Sequence, residues 1–209
     1  MSKVLYVTAN PKSVDQSYGL RLGKYFTEQV KTKNGNVIIE HVDLFKEDIP
    51  FVDADVLSAR EKLASNESLT TEEAEKIRRI DQILDQFLSA DSIVFVTPLW
   101  NFTVPAYMKA YLDCLCLAGK TFKYKYNGVT GLITGKKILH IQTIGGVFSE
   151  GPYAEYEMGD RYVKSIMAFI GLTDYQKVVM EGTNQFRDQI DQLFEKAKQQ
   201  LDVQVEQFV

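Results

Sequence analysis

The chain has 209 residues, 45% of them hydrophobic, and its 24 basic and 28 acidic residues give a formal net charge of −4. This length and composition suit a single α/β domain spanning residues 1–209, and the mild acidity without a basic block disfavours nucleic acid or an anionic membrane as a partner. No apolar stretch reaches the roughly twenty residues of a membrane span, and Lys3 leads directly into an apolar run, so we expect a cytoplasmic protein.

The cysteines and histidines do not form a pattern typical of metal binding or nucleophilic catalysis. Cys114 and Cys116 lie two apart in a predicted helix and point to different faces, so we expect reduced, structural thiols. His41 and His140 are the only histidines, and they lie far apart in strand-like stretches. The sequence therefore predicts neither a metal site nor a Cys–His dyad.

The first predicted strand, Lys3–Thr8, is followed by a polar loop and by a helix from about Gln16 or Ser17 to Lys31. Backbone N–H groups at a helix N-terminus favour an anion, so this loop is a candidate phosphate site. An ordinary turn capped by Asp15 or Ser17 is the alternative. The glycine patterns of dinucleotide and nucleoside-triphosphate sites are absent, which leaves a monophosphate as the better ligand. The polar residues of the loop are Asn10, Ser13, Asp15, Gln16 and Ser17.

A second strand is predicted at residues 37–44, with His41 on its surface or edge. Residues 49–71 then form a long connection that contains a short helical piece near Ala54–Ala64, before a strong amphipathic helix at residues 72–88. Long connections are often lids or interaction elements, so we interpret this one as covering a substrate or contacting a partner.

The third predicted strand begins at Ser92 and reads as buried on both faces, with Pro98 ending its hydrogen-bonded ladder. Trp100, Asn101 and Phe102 follow, before a helix predicted at residues 106–117. An aromatic surface and an amide thus lie at the carboxyl end of a central strand, where open α/β sheets bind ligands. The alternative is that the two aromatic residues are core side chains covering the end of the sheet.

Residues 121–126 alternate and lead to Asn127-Gly128, which predicts a β-hairpin with Tyr124 and Tyr126 on one face. We expect this hairpin to hang over the carboxyl edge of the sheet, with a plain surface ribbon as the alternative. The fourth strand, Lys137–Thr143, precedes Ile144, Gly145 and Gly146, where the two glycines permit either a close backbone approach to a ligand or a plain turn.

The remaining predicted elements are a helix ending at Ile170 with Gly171 as its cap, a fifth strand at Tyr175–Met180, and a helix at residues 185–207. This alternation predicts a flavodoxin-like, doubly wound five-stranded parallel sheet of order 2-1-3-4-5, with helices on both faces and a small hairpin excursion.

In such a sheet, the loops after strands one, three and four meet at one edge. Hydroxyls and a helix N-terminus, aromatic rings, and glycine amides together suit a flat ring with a phosphate tail, namely FMN.

Several motifs, in this order along nearly the whole chain, resemble the FMN-dependent NADH-azoreductases, a quinone-reductase family. They are Lys3–Val7 with Gln16-Ser17, Pro98–Phe102, Thr121–Tyr124, Gly145-Gly146, Phe169–Gly171 and Glu181-Gly182. The resemblance implies a homodimer with one FMN per subunit at the interface and NADH or NADPH as co-substrate. It also implies two-electron ping-pong hydride transfer through FMN N5 to quinones, resistance to electrophilic quinones, and cleavage of aromatic azo compounds to amines.

The family's site residues transfer to matching positions, with no catalytic side chain because FMN itself carries the hydride chemistry. Tyr124 and Phe169 match aromatic residues of the substrate pocket. Ile144 stands where some relatives have arginine. We expect Gly145→Val to block flavin approach. A flavodoxin-type electron carrier is the alternative function. The cofactor-binding residues implied are Asn10, Ser17, Tyr18, Gly19, Pro98, Leu99, Trp100, Asn101, Phe102, Thr143, Ile144, Gly145 and Gly146.

Overall fold

A five-stranded parallel sheet forms the centre of the computed structural model, which describes residues 2–208. Its order, β2-β1-β3-β6-β7, is the predicted 2-1-3-4-5 order once the two hairpin strands are numbered in chain order. The sheet strands are β1 (Lys3–Thr8), β2 (Ile38–Asp43), β3 (Ser92–Pro98), β6 (Lys137–Thr143) and β7 (Tyr175–Met180). The hairpin consists of β4 (Phe122–Lys125) and β5 (Gly128–Gly131), which pair antiparallel.

Helices cover both faces of the sheet. One layer packs α3, α4 and α5 against Ile93, Phe95 and Ile138, and the other packs α1 and α6 against Val94 and Val96. Because β3 is buried along its whole length on both faces, residues 93–96 form a continuous apolar run instead of alternating with polar residues. The helices are α1 (Tyr18–Lys33), α2 (Ala54–Ala64), α3 (Thr71–Ser89), α4 (Ala106–Leu115), α5 (Gly159–Ile170) and α6 (Ile190–Val205), with single 3-10 turns at Val14–Gln16, Ala154–Tyr156 and Arg187–Gln189.

The predicted hairpin exists, but its predicted position over the carboxyl edge of the sheet is wrong. Helix α5 starts at the carboxyl edge and runs back for twelve residues, or about 18 Å, to the amino edge. The hairpin lies at that far end, where the Ile133 N–H donates to the Ile170 carbonyl at 3.0 Å. Its turn also differs from the prediction, because Lys125 pairs with Gly128 and leaves Tyr126 and Asn127 as the loop.

Other element boundaries differ by a few residues and have local causes. Strand β3 does end at Pro98, as the sequence predicted, and Pro98 is its last residue to pair in register with β6, opposite Thr143. The predicted C-terminal helix starts later, at Ile190, because residues 182–185 form hydrogen bonds to the loop after β6. Gly171 has a φ of +108° and ends α5 as predicted. Within residues 2–208, none of the helices has the length and apolar character needed to cross a membrane.

Candidate active site

The loop after β1 presents free backbone donors beside a buried polar pair. The Asn10 side-chain amide donates to Ser17 Oγ at 3.1 Å, and both side chains are buried. Ser17 Oγ also accepts from the Leu20 N–H, so of the two candidate caps it is Ser17 that caps α1. The N–H groups of Tyr18 and Gly19 donate to no acceptor among residues 2–208. With the positive end of the helix dipole, they form a suitable site for a phosphate.

Close packing brings this helix N-terminus to the ends of β3 and β6. A Cβ added at Gly19 would lie 3.1 Å from Thr143 Oγ1, a tight contact that glycine avoids where α1 packs against β6. The Leu99 N–H donates to the Thr143 carbonyl at 2.8 Å, which joins the β3 loop to the β6 loop. The structure therefore brings the three predicted loops together at the carboxyl edge.

Residues 100–103 form a tight turn that displays two aromatic rings. Trp100 and Thr103 exchange backbone hydrogen bonds of 2.9 and 3.1 Å, and the two residues between them, Asn101 and Phe102, have φ values of +48° and +71°. Positive φ at both central positions is typical of a type I′ turn, which normally prefers Asn-Gly. Trp100 is 40% and Phe102 46% exposed, so they are not core side chains.

These two rings belong to two separate aromatic groups. Trp100 lies 6.5 Å from Phe45 between ring centroids, whereas Phe102 lies 5.2 Å from Tyr156 and 6.2 Å from Phe148. The turn therefore presents flat apolar surface next to the free amides, as binding of a planar ring requires.

The loop after β6 turns its carbonyl groups away from this edge. The Ile144 carbonyl accepts from Thr183, that of Gly145 from Asn184, and that of Gly146 from Gly182. Among residues 2–208, no acceptor binds the N–H of Gly145 or of Gly146. A Cβ at Gly145 would lie 2.6 Å from Asn184 Nδ2, so the Asn184 side chain would have to shift to admit any larger residue there.

Tyr124 and Phe169 lie apart from these loops, at the amino edge. Their rings pack on Phe122, with centroid distances of 5.4 and 4.5 Å, and Tyr124 is 74% exposed. Within one protomer they do not reach the carboxyl edge, because the length of α5 separates the two ends.

A buried polar network lies behind the Pro98–Phe102 run, and the sequence analysis missed it. His140 has its Nε2 2.9 Å from Thr97 Oγ1 and its Nδ1 2.9 Å from Asp160 Oδ1. Tyr175 donates to the same carboxylate at 2.7 Å, and Lys177 Nζ is 3.1 Å from its other oxygen. A histidine within an apolar strand was the one available signal, because a buried imidazole requires partners.

The pKa of Asp160 reflects two opposing effects. Burial favours the neutral acid, but the hydrogen bond and positive field from His140, with those of Tyr175 and Lys177, hold the pKa well below its usual range. An ionised Asp160 therefore joins the start of α5 to His140 in the middle of β6 and to Tyr175 and Lys177 of β7.

The cysteines lie outside this edge and are free. Burial raises the pKa of Cys114 to about 12 and that of Cys116 to about 11, which keeps both as thiols. Residues 2–208 contain no group of three or more His, Cys, Asp or Glu side chains arranged to hold a metal ion.

Comparisons with known proteins agree with this architecture. The sequence model of a family described as having a flavodoxin-like fold matches residues 2–205. A Staphylococcus haemolyticus (strain JCSC1435) protein named FMN-dependent NADH:quinone oxidoreductase is 47% identical over 184 residues, which is 88% of each chain.

Two solved structures are similarly close. The azoreductase from Bacillus anthracis str. Sterne shares 41% identity with a TM-score of 0.94 and full coverage of both chains. The FMN-dependent NADH-azoreductase from Bacillus anthracis str. Ames Ancestor, solved in complex with FMN, shares 33% identity with a TM-score of 0.90, covering 98% of this chain and 100% of its own. This chain therefore belongs to the flavodoxin-like fold family, together with the FMN-dependent NADH:quinone oxidoreductases and azoreductases.

Proposed function

We propose that this protein is an FMN-dependent NAD(P)H oxidoreductase that reduces quinones by two-electron transfer and cleaves aromatic azo compounds to amines. The observation that carries this proposal is a set of N–H groups on one sheet edge, around exposed aromatic rings, that have no acceptor within residues 2–208: those of Tyr18, Gly19, Gly145 and Gly146. The names of the relatives describe the same chemistry. They are oxidoreductases and azoreductases, so a one-electron flavodoxin carrier is not favoured.

Each loop has a distinct role in this proposal. The α1 N-terminus binds the FMN phosphate, the turn after β3 supports the ring system, and the β6 loop donates to its polar edge. Bound FMN supplies hydride acceptance and donation, so the protein itself has to hold two planar molecules in stacking distance. The residues assigned to FMN are Asn10, Ser17, Tyr18, Gly19, Pro98, Leu99, Trp100, Asn101, Phe102, Thr143, Ile144, Gly145 and Gly146.

We propose that the active protein is a homodimer of single-domain subunits. Tyr124 and Phe169 lie at the amino edge, so they line a substrate pocket only if they come from the partner subunit. Exposed Phe51, Leu57 and Tyr107 near the carboxyl edge provide apolar surface that a second copy would bury. Light scattering after size exclusion tests this state, and a monomer at micromolar concentration would contradict it.

Ile144 leaves the choice of nicotinamide nucleotide open. It is buried, and its aliphatic side chain brings no positive charge to the site, unlike the arginine of some relatives. NADH and NADPH are therefore both candidate co-substrates, and the ratio of their kcat/KM values decides between them.

We place the protein in the cytoplasm, where two free thiols stay reduced and where removal of electrophilic quinones protects the cell.

The first test is the visible spectrum of purified protein followed by anaerobic addition of NADH, with and without a simple quinone. We expect a yellow protein that NADH bleaches and quinone reoxidises at a catalytic rate. The expected stoichiometry is one NADH per quinone and two per azo bond, since each cycle transfers two electrons. Bound FMN that NADH cannot reduce would favour an electron carrier, and protein that takes up no FMN would refute both functions.

A further inference from the structure

The segment after β7, residues 181–185, holds the β6 loop through an extensive set of hydrogen bonds. The N–H groups of Gly182, Thr183 and Asn184 donate to the carbonyl groups of residues 146, 144 and 145, at 2.8, 3.1 and 2.9 Å. The Thr183 hydroxyl adds a second bond to the Ile144 carbonyl at 3.1 Å. Three successive carbonyl groups are therefore drawn to the same side.

Glu181 extends this set further along the loop. One carboxylate oxygen accepts from the Phe148 N–H at 2.8 Å and from the Ser149 N–H at 3.0 Å, and the other accepts from the Ser149 hydroxyl. The side chain of Asn184 also packs against Gly145 so closely that a Cβ there would lie 2.6 Å from Nδ2. Residues 144–149 are thus bound from one side along their whole length.

The planarity of the trans peptide group determines what the other side presents. In each peptide unit the C=O and the following N–H point in opposite directions. Because the carbonyl groups of residues 144, 145 and 146 face the 181–185 segment, the N–H groups of Gly145, Gly146 and Val147 face away from it. None of these three N–H groups has an acceptor among residues 2–208.

We infer that residues 181–185 are positioning residues that aim these three N–H groups at the electron-rich edge of the flavin and thereby raise its reduction potential. The inference rests on the proposed FMN site. Reduced flavin carries negative charge on its N1–C2=O edge, and fixed N–H donors stabilise such a charge without reorganisation at the moment of transfer. A loop that is less firmly held stabilises the reduced form less, while the phosphate and ring contacts to the oxidised form remain.

A pair of substitutions at Glu181 tests this inference. Glu181→Gln and Glu181→Ala both remove the negative charge, but only glutamine keeps an oxygen that accepts from the Phe148 and Ser149 N–H groups. We expect the ratio of reduced to oxidised FMN dissociation constants to be about tenfold larger for Glu181→Ala than for Glu181→Gln. A tenfold ratio corresponds to a potential about 30 mV lower for a two-electron couple, measurable by equilibration with a reference dye.

A second pair covers the case in which Glu181→Ala does not fold. Thr183→Val removes the hydroxyl donor to the Ile144 carbonyl, and Thr183→Ser keeps it, so we expect the valine variant to have the lower potential. Equal potentials within each pair would overturn the inference. Failure of the unmodified protein to bind FMN would instead refute the proposed function, so the two failures are distinguishable.

Discussion

Phe102 has a backbone conformation that is costly for any residue with a Cβ. Its φ of +71° is imposed by the reciprocal hydrogen bonds of Trp100 and Thr103. We predict that Phe102→Gly is more stable than Phe102→Ala by about 1 kcal/mol, the reverse of the usual order. Both variants lose the same ring, so the difference isolates the backbone. Urea unfolding of the FMN-free proteins measures it, and an alanine variant of equal or greater stability would contradict the prediction.

Asp160 makes folding stability depend on acidity. Its pKa in the folded protein is depressed relative to the unfolded value of about 3.9. The stabilisation is therefore complete at pH values above the unfolded pKa and is lost as pH falls towards the folded pKa. We predict that Asp160→Asn lowers the unfolding free energy at pH 7 by about 3 kcal/mol and flattens its decline below about pH 4.

Denaturant unfolding at a series of pH values tests this prediction, with Asp174→Asn as a control. That aspartate lies outside the network of His140, Tyr175 and Lys177. If the unfolding free energies of the unmodified protein and of Asp160→Asn fall in parallel as pH decreases, Asp160 does not cause the loss of stability in acid.

At the scale of elements, one carboxylate ties α2 to α3. Glu73 accepts from Lys62 Nζ, from the Ser58 hydroxyl and from the Thr70 N–H, which completes the capping box of α3. The hydrogen bond from Lys62, with those from Thr70 and Ser58, lowers the pKa of Glu73 to about 2. At neutral pH the ionised Glu73 therefore holds α2, which lies in the long connection predicted as a lid or interaction element, against α3.

We predict that Glu73→Ala selectively loosens α2. The expected result is faster amide hydrogen exchange in residues 54–64, with unchanged protection in β1 and β3, because the lost bonds lie between α2 and α3 and in the N-terminal cap of α3. Glu72→Ala is the matched control, since Glu72 is the exposed neighbour of Glu73 and takes no part in the capping box. Equal exchange of α2 in both variants would contradict this role for Glu73.

The sequence predicted those elements whose signals are local. The bounds predicted from the apolar runs for β1, β6 and β7 match the observed ones, and Gly171 correctly predicted the end of α5. Features that depend on distant residues were missed. The last helix was predicted to start at Gln185 instead of Ile190, because nothing in the composition of residues 182–185 indicates bonds to the β6 loop. The Asp160–His140 pair joins residues twenty positions apart. The hairpin was placed at the wrong edge because the return direction of α4 was not considered.

At the scale of the whole molecule, the position of that hairpin bears on the proposed homodimer. The FMN loops lie at one end of the sheet and Tyr124 at the other, so in a two-fold dimer each subunit can supply Tyr124 to the site of the other. A pair of variants separates these two contributions. Ser17→Asp keeps a good helix cap but brings a carboxylate to the phosphate site, whereas Tyr124→Ala removes an exposed ring and leaves the FMN loops intact.

We predict that the two variants complement each other when mixed. Ser17→Asp subunits should bind no FMN, and Tyr124→Ala homodimers should bind FMN but turn over quinone slowly. After subunit exchange with excess Ser17→Asp, each Tyr124→Ala subunit has a partner with an intact Tyr124. Its FMN site is then complete, so quinone turnover per bound FMN should rise towards the unmodified value. Turnover per FMN that stays at the Tyr124→Ala level, after exchange is verified by mass spectrometry, would mean that Tyr124 does not act across the subunit boundary.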